Sequence, residues 1–408
     1  MKRVLVEPAG RMHLFFEPMF SHPPEGYEFV FQRAPWDRLV APILSSDTLY
    51  FTLQRRVLSP ILPVPLVKAY LESFLKKPPQ GIDLTYAIHH LVFRKEPWVV
   101  QLEWVHQLAG FNYAHLRRFR RVVERTLASP YCKKILCWCE LAKTTVLAHL
   151  NCDSFLHKIE VVPYAAPLRS GFTKTYDDGK VRMLFVGSGN TPAEFYTRGG
   201  NVALEAFKLL SGRYDNLELV IASDMPRDIK KQCQGFPNIT IIEEHISKSQ
   251  EVQERVFGCA DIFLFPAHIT AMAILEAMSY ELPIVATDIY ATREIVGDGK
   301  TGFLIKPAKH VPYYVAEYLP TGPGDSLDRR FKKAMERTDS GMVRDMVAKT
   351  AILIENAELR RHMGKAGRWE VEQGKFSLQR RNEKLRQIFD EAAGLELLPK
   401  DSRPLERT

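Results

Sequence analysis

The sequence predicts an α/β protein built from two doubly wound parallel-sheet domains. Three observations predict it. Short β-branched and aromatic runs alternate with helical stretches along the whole chain. The alternation comes in two series separated by a stretch rich in Pro, Gly and Ser between Pro163 and Lys180. The 408 residues, 46% hydrophobic and 25% charged, suffice for two ordinary globular domains.

The strand-like runs of the first series are Arg3–Glu7, Tyr27–Gln32, Thr48–Leu53, Leu84–His89, Trp98–Glu103, Ile135–Cys139 and Ile159–Pro163. The second series holds Arg182–Val186, Leu217–Ala222, Ile239–Glu243, Asp261–Phe265, Pro283–Ala286 and Gly302–Ile305. Thr321-Gly322-Pro323-Gly324-Asp325 opens a polar insertion that runs to about Gly341. Helices are expected over Val202–Leu210, Met342–Asn356, Glu358–Gln373 and Ser377–Ala392, the last with Ser377 as N-cap. The expected organisation is residues 1–174 and 175–376 as the two domains, then 377–408 as a last helix and polar tail.

The start of the chain has a basic flank but an apolar run of only Val4-Leu5-Val6, too short for a secretory signal. No apolar run approaches the length of a membrane span. The expectation is a cytoplasmic protein, associated with a membrane at most peripherally. Six cysteines, with four between Cys132 and Cys152, include no Cys-x-x-Cys pair, so they read as small buried thiols rather than a zinc site. No metal site is expected.

The net charge of +8 is uneven. Residues 1–175 carry 23 Lys/Arg against 14 Asp/Glu, whereas the remainder is nearly balanced. The densest part is His115–Arg125, where Leu116, Phe119, Val122 and Val123 share one helical face. Such a helix keeps a solvated basic face, lies on an anionic membrane, or binds an acidic acceptor. No nucleic-acid-binding motif accompanies the charge, so nucleic acid is not an expected partner.

Ligands of open α/β sheets sit beyond the carboxyl ends of the strands. In the second series the first such end is Phe185-Val186-Gly187-Ser188-Gly189, followed by Phe195-Tyr196-Thr197-Arg198-Gly199-Gly200 at a helix start. A cation there is unfavourable unless an anion binds the same place. The strand Ala260–Pro266 leads through small residues into a helix, where Glu276 lies among apolar neighbours. A carboxylate so placed is paired or binds something.

These segments resemble the retaining GT-B glycosyltransferases of family four (glycosyl transferases group 1). The resemblance rests on Phe185-Val186-Gly187, Arg198-Gly199-Gly200, Ala260–Pro266, Leu275–Thr287 with Glu281 at a usual glycine, and Glu294–Leu304. It runs from about 180 to 390. It implies two Rossmann-like domains facing a cleft, with the final helix crossing back to the first domain. It also implies transfer of a sugar from a nucleotide sugar to an acceptor with retention and without metal. The acceptor would be a glycan, a lipid or another small molecule. Apart from that donor substrate no cofactor is implied.

By the same resemblance, Glu276 would hold the ribose hydroxyls and Arg198 would neutralise the diphosphate. The N–H groups of Thr270, Ala271 and Met272 would bind phosphate or sugar oxygens. Gly187 and Ser188 would line the phosphate site, and His245 and Ile246 would flank the base. Two residues depart from the pattern. His268 stands where a glutamate contacts the donor sugar, as a hydrogen-bond partner or a second cation. Ser188 stands where an arginine is usual. His106, with Glu103 and His90 behind it, is the candidate acceptor-side catalytic group. The alternative is a GT-B-like binding or scaffold protein that has lost transfer.

Overall fold

A computed structural model describes residues 1–7, 20–32, 63–75, 77–110, 112–166, 169, 171–175, 179–187, 194–243, 250–269, 272–311 and 329–394. Two all-parallel sheets of six strands each form the frame. In the first, β1 (Lys2–Glu7), β2 (Tyr27–Phe31), β3 (Leu84–Ile88), β4 (Trp98–Leu102), β5 (Cys132–Cys137) and β6 (Ile159–Val161) run in the order β2-β1-β3-β4-β5-β6. In the second, β7 (Val181–Val186), β8 (Leu217–Ala222), β9 (Ile239–Ile242), β10 (Ile262–Phe265), β11 (Ile284–Thr287) and β12 (Gly302–Ile305) run in the order β12-β11-β10-β7-β8-β9. Strands β3, β4, β10 and β11 are buried throughout, as apolar strands covered on both faces must be. The strand order reverses between β1 and β3 in one sheet and between β7 and β10 in the other. A crevice opens at each of these points.

The expected strands appear, most with their ends shifted by a residue or a few, save Thr48–Leu53, which lies outside the described residues. The helix expected over His115–Arg125 is broken. Tyr113–Arg118 ends at Phe119 (φ −105°, ψ 15°) and Arg120–Ala128 starts anew. The break re-phases the apolar face, so Leu116 and Val123 are buried but Val122 is 42% exposed. The polar insertion also holds structure. Helix Arg329–Met335 buries Phe331 and Met335 in the core of the second sheet.

The last helix, Leu378–Ala392, lies on the first sheet. Ser377 caps it, its Oγ accepting from Arg380 N–H at 3.3 Å. Asp390 accepts from Lys2 Nζ at 2.9 Å and from Tyr27 OH at 2.7 Å. The Phe389 ring packs edge-on against Tyr27, Phe29 and Tyr86. One hydrophobic cluster runs from these residues through Trp138, Val162 and Tyr164 to Ala267, Ile274 and Met278 of the second half. Glu294 adds a polar clasp, accepting from the N–H groups of Glu140 (2.8 Å) and Leu141 (2.9 Å) at the start of helix Glu140–His149. A carboxylate there answers the partial positive charge of a helix N-terminus.

Glu281, at the usual glycine, has φ +58°. That left-handed backbone costs a side-chain-bearing residue about 1–2 kcal/mol. Arg368 Nη1 donates to its carboxylate at 3.1 Å, which ties the turn to helix Ala357–Glu372. The helix reaches the turn because Gly364 has no side chain. A Cβ there would stand 2.1 Å from the Glu281 carbonyl oxygen. Gly364→Ala must therefore push the helix off the turn, at a cost of about 1–3 kcal/mol. A lowered midpoint of thermal unfolding checks this, and an unchanged one would contradict the close approach.

Candidate functional site

The crevice of the second sheet is shaped by three glycines. Gly187 ends β7. A Cβ there would meet Ser223 Oγ at 2.0 Å, so only glycine lets the ends of β7 and β8 close together. Its N–H is bonded to Ala222 C=O at 3.0 Å and is not free for a ligand. Gly199 has φ +79°, and a Cβ on it would stand 2.3 Å from the carbonyl oxygen of Pro266, just beyond β10. Gly200 leaves room for the Phe195 ring. The Arg198-Gly199-Gly200 turn is thus pressed against the end of β10, at the switch point between β7 and β10.

That turn delivers Arg198 into the crevice. Burial pulls its pKa down, opposed by the fields of Glu194 and Glu103. A guanidinium nonetheless stays charged. Its Nε is buried and has no hydrogen-bond partner among the described residues. Glu276, on helix Ala273–Ser279, accepts from Arg169 Nη2 at 2.5 Å. Arg169 comes from the segment joining the two sheets and also lies over the Tyr280 ring, 5.6 Å from its centroid. Met272 is the N-cap of the same helix, at its cleft end. Thr270, Ala271, Ser188, His245 and Ile246 lie outside the described residues.

His268 is 1% exposed and its Nε2 accepts from Ala308 N–H at 3.0 Å. Acceptance at Nε2 places the proton on Nδ1. Burial pulls its pKa down to about 4, with His310 adding to the fall and Asp339 opposing it. The ring is therefore neutral near pH 7, and the expectation of a second cation is corrected. It braces the loop after β12 and keeps one N–H, on Nδ1, with no hydrogen-bond partner among the described residues.

The other wall of the cleft also differs from expectation. His106 sits in the turn Val105–Ala109, buried and stacked on Tyr113 with ring centroids 4.2 Å apart. Burial pulls its pKa down to about 3, with a further push from His149. Its ring also meets Trp104, with centroids 6.3 Å apart. The residue that faces the second domain is Glu103, directly after β4. Burial pushes its carboxyl up to about 7, against hydrogen bonds with Tyr164, Gln107 and Trp104 and the field of Arg198. Beside it Trp104 meets Tyr290 of the second half edge-on at 5.4 Å. The spacing Glu103-x-x-His106 carried both residues.

A third group marks the crevice between β1 and β3. Glu7 accepts from Arg94 Nη2 at 3.0 Å and lies 3.8 Å from His90 Nε2. Burial pushes Glu7 up, but His90 and Arg94 outweigh it and hold the carboxyl at about 2. His89 takes a left-handed φ of +61° against Trp138. The cysteines are unpaired, and Cys132, Cys137, Cys152 and Cys233 are buried, which pushes their thiols up. Among the described residues no group of three or more His, Cys, Asp or Glu is placed to hold a metal ion. Nor, among them, is any helix long and apolar enough to cross a membrane.

Comparison with known proteins agrees with this geometry. Residues 177–317 match the family model described as Glycosyl transferases group 1. The sulfoquinovosyl transferase SQD2 of Arabidopsis thaliana is 25% identical over 184 residues, which is 43% of this chain and 28% of that protein. Among solved structures, Anabaena HepE in complex with UDP superposes with a TM-score of 0.58 at 12% identity, covering 96% of this chain and all of that one. A glycosyltransferase of Rickettsia africae superposes at 0.56 and 13% identity, covering 96% and 98%. The chain has the GT-B fold, and residues 177–317 are similar to the glycosyl transferases group 1.

The Glu103 carboxyl makes the first site prediction. It holds its proton to about pH 7 when folded, whereas its ordinary value is 4.5. Between these the folded state binds more protons, so this residue's contribution to stability falls as the pH rises through that window. Glu103→Gln should remove the fall. The variant's melting temperature relative to wild type should climb from pH 4.5 to 7 and level off above it. Parallel profiles would contradict the burial of this carboxyl.

Proposed function

We propose that the protein transfers a sugar from a nucleotide-diphosphate sugar to an acceptor, with retention of configuration and without a metal ion. The observation that carries this is Arg198, a half-buried guanidinium held at the sheet's switch point by two glycines, whose buried Nε has no hydrogen-bond partner among the described residues. A buried N–H without a hydrogen-bond partner is costly, and an anion is a ligand that offsets the cost. A diphosphate is the anion suited to a Rossmann crevice. Glu276 stands in the same crevice and is suited to accept hydrogen bonds from ribose hydroxyls once Arg169 releases it.

In this reading Arg198 stabilises the negative charge that grows on the diphosphate as its bond to the sugar breaks. That is the service a divalent cation would otherwise supply. Glu103 enters from the acceptor side, close enough for its charge and that of Arg198 to influence one another. Its proton, held to about pH 7, lets it act as a hydrogen-bond donor to a sugar or acceptor oxygen. His268, neutral, can offer Nδ1–H to a donor hydroxyl. Retention is what the family resemblance implies. Solved relatives captured with UDP and with UDP-glucose make uridine diphosphate sugars the first donors to try.

A second reading has one observation in its favour. The Arg169–Glu276 pair already occupies the carboxylate that the ribose needs. A binding protein that has lost transfer would keep that pair closed. Two measurements separate the readings, a thermal-shift panel of nucleotide-diphosphate sugars and an assay of sugar release. Wild type should be stabilised by one donor, by about 2.7 kcal/mol at a hundredfold excess over Kd. Arg198→Ala should lose the shift and reduce turnover by about 10²–10³-fold. Stabilisation with no sugar released to any acceptor would favour the binding protein. A folded wild type that no nucleotide stabilises would overturn both.

A further inference from the structure

Helix Val64–Leu75 carries two apolar faces, and the first sheet's core uses only one. At about 100° per residue, Leu66, Ala69 and Ser73 fall on one line. Leu66 and Ala69 are buried, and Ser73 Oγ accepts from the Phe93 N–H at 2.9 Å. The adjoining arc holds Val67, Tyr70, Leu71, Phe74 and Leu75, all exposed. Tyr70 is 50% exposed, Phe74 64% and Leu75 65%. Tyr70 and Phe74 lie 4.8 Å apart, and Phe93 extends the patch at 5.4 Å from Tyr70. A contiguous apolar arc this open marks an interaction surface.

The charge around it selects the partner. The helix packs on the turn Val105–Ala109, and so does helix Tyr113–Arg118. Arg117, Arg118, Arg121 and Arg125 are exposed on that helix and the one following it, and Lys68 and Lys77 are exposed on and just beyond the apolar helix. Two of the carboxylates nearby are drawn in, while Asp153 is exposed beside Arg125. Glu72 lies 3.9 Å from Lys68 and Glu124 lies 3.0 Å from Arg120, each with under a fifth of its side chain exposed. Outward-facing cations beside an apolar arc suit an anionic, apolar partner. Both conditions are met by one surface, a bilayer containing anionic lipid.

We propose that the first domain docks on an anionic membrane surface through the arc Val67–Leu75 with the arginines of 117–125 beside it. The docked face adjoins the turn that follows Glu103, so the acceptor side of the cleft is brought next to the bilayer. Docking itself needs no donor and no turnover, so it can fail while the transferase reading stands, and the reverse.

The test is sedimentation of the full chain with vesicles of phosphatidylcholine alone or mixed with phosphatidylglycerol. Binding is expected to the mixed vesicles, to be weak on phosphatidylcholine alone, and to fall with added salt. Phe74→Glu and the double variant R121E/R125E should each bind about tenfold or more weakly. Both positions are exposed, and unchanged thermal unfolding and donor binding show that the variants are folded. Absence of wild-type binding, or binding that neither variant weakens, would overturn the proposal. So would a concentration-dependent dimer that Phe74→Glu dissolves and vesicles do not compete with, since the arc would then be covered by a second copy.

Discussion

Two parallel sheets can work on one ligand only if their carboxyl ends are held facing each other. In this molecule the terminal helix supplies that constraint. It leaves the second half after helix Ala357–Glu372 and returns to the first sheet, where Phe389 is set among three aromatic rings and Asp390 accepts two hydrogen bonds. The same hydrophobic cluster continues under the cleft to the strands and helix that carry the second-half site. Glu294 clasps the far side. The junction is apolar beneath and polar at its rim, an arrangement that holds two domains together and leaves the cleft itself open to charge.

Within the cleft the charges are arranged with one unmet need. Glu276 has Arg169, and Glu7 has Arg94. Arg198 has buried donor capacity left over, and the carboxylate that senses it from across the cleft, Glu103, holds its own proton to about pH 7. Burial holds His106 and His268 neutral. Among the described residues Arg198 is the guanidinium placed at the switch point, within the fields of Glu194 and Glu103. If Glu276 takes the ribose as proposed, its entry reorganises the Arg169–Glu276 pair and couples nucleotide binding to the segment that joins the two halves.

Much of the frame was legible because buried parallel strands are short, apolar and bounded by turn residues. The second-half strands show this best, as Leu217–Ala222 and Gly302–Ile305 were read to the residue. Arg198 and Glu276 stood out as charges among glycine and apolar residues. What escaped depends on direction rather than type. Periodicity across 116, 119, 122 and 123 could not reveal the break at Phe119 that turns Val122 outward. Glu103 and His106 are three residues apart, and the spacing could not show that Glu103 lies close enough to Arg198 to sense its charge. Nothing in the order of residues announced that Arg169 reaches Glu276, 107 positions away. Helix Arg329–Met335 hid in a segment whose flanks are polar.

In the proposed function Arg198 and Glu276 together hold a nucleoside diphosphate in this crevice. A crystal structure with a bound nucleoside diphosphate tests it most directly. The account predicts the diphosphate on Arg198 at the ends of β7 and β10. It predicts the ribose hydroxyls on Glu276, and Arg169 drawn away from that carboxylate. A nucleotide bound elsewhere in the fold, or a diphosphate out of reach of Arg198 with the Arg169–Glu276 pair intact, would contradict it.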